Sequence, residues 1–315
     1  MTTVTHTVTK APPWHGWVTA DLSLNSLSTG VFAVAALCDL IGDLIGSAAY
    51  RPVVRIGYLA AFPLVLCDLA CLILDLGDPA RFLHMLRVFK PGSPMSVGVW
   101  STSVFSGFAF MAWSLEIFDR SGFPAARVTI AVAGIVAALI TAGYKGVLLS
   151  TTAQPGWKDS RWLGAELSIS SGASGTAFLL AFAAILDAQP AMADLRAVLA
   201  TVLILDLAAA SVVAYEMRRA ILARFTRAEI AGWYAAMLGG GGLAPLILIA
   251  ASAAAPASIA AAVLTILGAI AMRHHLVMIP HRDVHDRRDA GPTSDRAEAG
   301  ATGIQRSEVG PASRR

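Results

Sequence analysis

Eight stretches of about 20 apolar residues, broken by short charged loops, limit what this chain can fold into more than any other feature of it. A helix of that length crosses a hydrocarbon layer about 30 Å thick. Inside that layer the backbone must satisfy its own hydrogen bonds, which leaves helices or a closed barrel. The strict alternation of an outer-membrane strand is missing, so the chain reads as an all-α integral membrane protein with eight transmembrane helices. Their expected limits are about 17–41, 53–75, 97–118, 125–150, 162–187, 196–218, 230–253 and 257–279. Only 14% of the 315 residues are charged, against about 25% in soluble domains. The net charge of +3 resides in loops and tail and implies no nucleic-acid partner.

The spans suggest an N-terminal segment, 1–16, a membrane domain, 17–280, and a polar tail, 281–315. Within the domain, two four-helix bundles are expected over about 17–150 and 162–280. Lys10 is followed by Pro12, Pro13 and Trp14 without a cleavage-site pattern, so the first helix is expected to stay in the mature protein. The tail is rich in Arg, Asp, Gly, Ser and Pro and is expected to be disordered, with His281, Asp283 and His285 solvated there and no metal site formed. An even number of spans puts both termini on one side. That side carries Lys10, Arg81, Arg87, Lys90, Lys158, Arg161, Arg218, Arg219, Arg224 and Arg227, against Arg51, Arg55, Arg120, Arg127 and Arg196 on the other. The excess favours cytoplasmic termini in a bacterial inner membrane.

Two segments resemble each other, Ser26–Leu37 (SLSTGVFAVAAL) and Ser171–Phe182 (SGASGTAFLLAF), each early in the first helix of a set of four. Such a repeat describes two bundles related by an axis along the membrane normal. Ser168, Gly172 and Thr176 form a small-residue ladder on helix five, and Gly239–Gly242 interrupt helix seven, where packing is the expected role. Cys38, Cys67 and Cys71 lie inside apolar runs and read as small core residues.

The loop between the second and third spans, within Leu74–Trp100, is charged, aromatic and proline-bearing, unlike a flexible linker. Asp75 and Asp78 bracket Gly77, Pro79 can open a short interfacial helix, and Arg81, Phe82, Met85, Arg87 and Phe89 mix cations with bulky apolar groups. Pro91, Gly92 and Pro94 are expected to stop it, with Ser93 or Ser96 capping a helix that begins near Val97. Asp75 and Arg81 read as a structural ion pair holding this loop.

A charged side chain near the centre of a membrane costs on the order of 2.5–3.5 kcal/mol even on insertion scales, so polar groups that remain there have reasons. Asp21, Asn25 and Ser28 form one stripe on helix one. Asp68 and Asp75 share a face of helix two, Asp206 sits inside helix six, Glu166 early in helix five, and Lys145 follows Tyr144 late in helix four. Topology brings the start of helix one, the loop, the end of helix four and the start of helix five to one membrane face. Asp21, Asn25, Tyr144, Lys145, Glu166 and His84 can there offer hydrogen bonds and proton exchange to a quinone, whose tail the neighbouring apolar residues can hold. Asp68 and Asp206 are either steps of a proton path or buried carboxylates bonded within the fold. All seven histidines lie at or beyond the expected helix ends, which argues against a bis-histidine haem, and the two neighbouring thiols cannot supply the four ligands of an iron-sulfur cluster.

The loop's Asp-Leu-Gly, Pro, Arg-Phe, Leu-Arg and Ser-Pro-Met-Ser elements, in that order before a tryptophan-bearing helix, resemble the NrfD/PsrC family of membrane subunits in polysulfide-reductase-type complexes. Tyr144–Ser150 (YKGVLLS) is similar to that family's Tyr-Thr-Gly-Val-Leu-Leu-Ser element. The resemblance implies two four-helix bundles and a quinone site where helix one meets the tyrosine element, with Tyr144 the residue carried over. It implies electron and proton exchange between the quinone pool, menaquinone or ubiquinone, and a docked ferredoxin-like iron-sulfur subunit, often with a molybdopterin-type catalytic subunit. No catalytic residue, haem, cluster or metal site is expected in this chain itself. Arg81, Arg87, Lys90, Arg224 and Arg227 are candidate docking charges. Lys145 stands where the family has threonine, and the arginine and glutamate that flank the family's loop proline are missing here. A proton-coupled transporter, or a bare membrane anchor of the same fold, is the alternative function.

Overall fold

The computed structural model describes residues 16–75, 84–118 and 124–282. Among them are eight helices long and apolar enough to cross a membrane, and no strands. We number these α1 (Gly16–Ile45), α2 (Arg51–Asp75), α3 (Pro94–Ile117), α4 (Pro124–Ser150), α5 (Leu163–Ile185), α6 (Gln189–Arg224), α7 (Arg227–Ala251) and α8 (Ala255–Met278). The chain is a multi-pass membrane protein. Outward-facing Leu37, Ile41, Val136, Ile140, Ile204 and Ile247 form part of its exposed apolar belt, which suits lipid tails.

Most helix limits fall within a few residues of those expected from hydropathy. The largest departure is α6, whose 36 residues span about 54 Å and overshoot the hydrocarbon at both ends. Asp194 and Arg196 at one end, and Glu216, Arg218 and Arg219 at the other, hide these extensions from a hydropathy window while their side chains knit the ends together. Arg196 donates to the carbonyls of Ile249 (2.5 Å) and Ser252 (2.6 Å) and to Ser258 Oγ (2.7 Å), closing the connection between α7 and α8. Glu216 accepts from Ser160 Oγ (2.8 Å) and from the backbone N–H groups of Arg161 (3.0 Å) and Trp162 (3.4 Å), so a residue of α6 satisfies donors leading into α5. The other correction is at α3, which starts at Pro94 and not near Val97. Ser93 caps it by accepting from the Ser96 N–H, and Pro94 occupies the first turn, where a missing N–H costs nothing.

Helices α1–α4 pack on one another, as do α5–α8, and the two sets meet along α1, α4, α5 and α8. The tightest seam joins α1 to α5. A Cβ at Gly30 would overlap the Ser171 carbonyl, and one at Gly175 would overlap the Gly30 backbone. Ser171 Oγ donates to the Ser26 carbonyl (2.8 Å) and lies 2.7 Å from Thr29 Oγ1. Gly146 of α4 and Gly164 of α5 also approach closely, a Cβ at Gly146 falling 2.5 Å from the Gly164 backbone. The small-residue face that makes contact therefore runs through Gly164, Ser171 and Gly175. Gly172, in the ladder expected from sequence, faces α6 instead, where a Cβ would meet only Val202 at 3.7 Å. Gly239–Gly242 fall inside a π-helical stretch of α7, Ala235–Leu243, and Gly241 lies against the backbone of Gly268 in α8.

The core of the first bundle is aromatic at mid-height. Phe32 is fully buried, packs edge-on against Phe105 at 5.5 Å between ring centroids, and contacts the Tyr58 ring at the same distance. Gly134 makes room for it, since a Cβ there would collide with the Phe32 ring. This layer separates two polar clusters lying toward opposite ends of α1, at Asp21 and Asp39.

Candidate functional site

The cluster at the N-terminal end of α1 is built around Lys145. Its ammonium lies 2.8 Å from Asp68 Oδ1 and 2.9 Å from Asp21 Oδ1, and it also donates to the Asp21 carbonyl at 3.1 Å. Asn25 Nδ2 donates to the second Asp68 oxygen at 3.2 Å. All four side chains are buried. One cation between two carboxylates leaves the cluster one negative charge in excess if both acids ionise. Three helices supply the members: α1 gives Asp21 and Asn25 one turn apart, α2 gives Asp68, and α4 gives Lys145.

Beside this cluster lies a cavity of about 200 Å³ lined by Asp21, Tyr144 and Lys145 together with apolar groups such as Leu22, Leu72, Met95 and Val99. The Tyr144 ring lies against Gly98 of α3, where any Cβ would strike it. Three polar side chains thus converge on an otherwise apolar slot at one membrane face, the pattern of a small-molecule site. Asn25 and Asp68 stand behind it as the support that orients Lys145. His84 is exposed, next to Met85 of the cavity wall. The Asp75–Arg81 pair and the docking role of Arg81 fall on side chains outside the described residues, as does nearly all of the polar tail.

The sequence profile of the NrfD polysulphide reductase family matches residues 6–281. The chain belongs to the NrfD family. Among curated proteins none matches it. Membrane subunits of multi-subunit redox complexes make up this family, and the Tyr144 element sits in this NrfD chain on the wall of the cavity just described.

Two groups expected together at this site are apart. Glu166 does not line the Tyr144 cavity; it faces the second bundle, where it shares a smaller cavity with Asp206. Helical geometry accounts for this: Glu166 lies near Gly164, the residue with which α5 presses on α4, but on a different side of the helix. Lys145 accordingly pairs with Asp21 and Asp68 and not with Glu166. The faint repeat runs through the same groups. Carried back in register from Ser26 and Ser171, it pairs Asp21 with Glu166 and Asn25 with Ser170, and it pairs Gly30 with Gly175, the two glycines that meet at the seam.

Sequence reasoning missed two further sets of buried charge. Arg273 of α8 is 1% exposed and is disguised by lying next to His274 and His275 near a helix end. Beyond the aromatic layer, Asp39 pairs with Arg127 and accepts from the Tyr58 hydroxyl at 3.2 Å, while Arg51 pairs with Glu116 at 2.9 Å. Asp39, Arg51 and Arg127 border a cavity of about 380 Å³ that Cys38, Asp43 and Tyr50 also help to line. It is larger than the Tyr144 cavity, but its arginines are engaged by carboxylates of the fold and its walls give no apolar slot. Arg51 and Arg127 read in the sequence as topology markers; only the fold brings Asp39 and Glu116 to them.

Proposed function

We propose that this chain is the subunit through which a redox complex exchanges electrons and protons with membrane quinone, at the cavity of Asp21, Tyr144 and Lys145. The observation that carries the reading is the convergence of a phenol, an ammonium and a carboxylate on one apolar slot within a family of redox-complex membrane subunits. A quinone taking up two electrons must also take up two protons. Tyr144 can donate a hydrogen bond to a carbonyl oxygen, which gains negative charge as electrons arrive; the Lys145 ammonium, its three N–H groups taken by Asp21 and Asp68, can stabilise that charge from nearby, and Asp21 can relay a proton to it or from it. Asn25 and Asp68 hold Lys145 in place and connect Asp21 to a second carboxylate, so protons can move within the cluster without an isolated charge forming.

Electrons would come from or go to a docked ferredoxin-like iron-sulfur subunit, itself serving a molybdopterin-type catalytic subunit. Exposed Arg87 and Lys90, next to exposed Val88 and Phe89, offer a mixed cationic and apolar surface beside the cavity mouth for such a partner. Arg227 is exposed, whereas Arg224 is half-buried and turned toward the Ala220 carbonyl. Cytoplasmic termini in a bacterial inner membrane complete the reading.

The test is photo-crosslinking or fluorescence quenching by a menaquinone analogue, comparing wild type with Tyr144→Phe in the complex. Losing one hydrogen bond of about 1 kcal/mol is expected to weaken saturable binding roughly fivefold. Absence of binding even with the partner subunits present would reject the quinone site in favour of a transporter or an anchor.

A further inference from the structure

The second bundle contains a counterpart of the Lys145 cluster that is completed differently. Glu166 on α5 stands where the repeat puts Asp21, Asp206 is the intramembrane carboxylate of α6 as Asp68 is of α2, and Arg273 on α8 takes the place of Lys145 on α4. In the first bundle the cation touches both acids. In the second it touches neither: Arg273 Nη1 donates to the Ala269 carbonyl (2.8 Å) and Nη2 to Ser26 Oγ on α1 (2.5 Å). Among the described residues no ion pair reaches Glu166 or Asp206.

Glu166 is 1% exposed, and its Oε2, like Asp206 Oδ1, has no hydrogen-bond partner among the described residues. Both acids border one cavity of about 20 Å³, with Ser170 and Thr265 adding hydroxyl oxygens and the π-helical stretch of α7 adding Gly241 and Gly242. One water-sized particle needs about 10–15 Å³, so the space takes one such particle and excludes a quinone. Buried carboxylate oxygens require a proton, a donor or a cation. No charged group comes from α7, which contributes Met237, Leu238, Gly241 and Gly242 to the wall; Arg273 acts on both acids by its charge, but its Nη groups bond to α1 and its own helix, and one guanidinium balances only one of the two carboxylates.

We propose that the Glu166–Asp206 cavity binds one exchangeable monovalent cation, sodium or a proton held between the two carboxyl groups, to balance the second acid of the pair. The site is separate from the Tyr144 cavity and does not depend on quinone chemistry there. Its ligands are oxygens only: two carboxylates and the hydroxyls of Ser170 and Thr265.

The experiment uses the full chain with its co-purifying subunits in nanodiscs. Thermal unfolding is followed in sodium, potassium or choline chloride at equal ionic strength and at several pH values, alongside the infrared carbonyl band of protonated carboxylic acids. If sodium is the occupant, it raises the melting temperature of wild type by about 2 °C or more over choline, and Glu166→Gln or Asp206→Asn removes that response. With a proton, sodium has no effect, and the acid band is lost on alkaline titration of wild type and missing from Glu166→Gln. Should both variants fail to insert, Ser170→Ala keeps the carboxylates, removes one ligand oxygen, and is expected to reduce whichever response wild type shows. The proposal is overturned if wild type shows neither a sodium response nor a titrating acid band.

Discussion

Lys145 is the residue on which the first bundle's polar interior depends. Its ammonium holds two carboxylates from two other helices, at 2.8 and 2.9 Å. Removing one partner of a buried ion pair leaves uncompensated charge, at a cost of about 3–5 kcal/mol. Lys145→Met is therefore expected to lower the unfolding temperature sharply in nanodiscs, and adding Asp68→Leu to it should recover part of the loss. A double variant as unstable as the sum of the singles would show that Asp68 and Lys145 do not act as a pair. The residues themselves were plain in the sequence, because charge inside an apolar run is conspicuous. Their partners were not: Asp21, Asp68 and Lys145 lie on three helices, and nothing along the chain distinguishes the lysine's contact with Asp68 from one with Glu166.

At the scale of helices, the α1–α5 seam depends on residues without side chains. Gly30→Ala is expected to push these helices apart, at the roughly 1–3 kcal/mol typical of overpacking, whereas Gly172→Ala, two turns from the α5 N-terminus, has space and should change stability little. Melting curves of the two variants side by side check this; equal effects would mean that the seam yields. Hydropathy placed all eight helices because the bilayer imposes one length on each. It missed the polar ends of α6 and the choice of contact face on α5, since both are decided by neighbours: Arg196 and Glu216 reach across to other helices, and Ser171 and Gly175 matter because Gly30 is opposite.

For the whole molecule, the order of the helices puts the Tyr144 cavity on the side of the N-terminus. A fluorescent reporter that matures only in the cytoplasm is expected to shine when fused to the C-terminus, while an alkaline phosphatase fusion at the same point stays silent. The opposite pattern would place that cavity on the outer face and the docked partner outside the cell. The first bundle also has a cluster of charges toward each end and an oil-like waist of Phe32, Phe105 and Tyr58 between them. A transmembrane voltage falls across the part of a protein that conducts least, so most of the electric field is concentrated on that thin waist. Charge shuffled among Asp21, Asp68 and Lys145 does almost no electrical work. A charge carried past Phe32 to Asp39 would do nearly all of it, about 2.3 kcal/mol for each 100 mV, so the waist marks where turnover becomes electrically visible or remains silent.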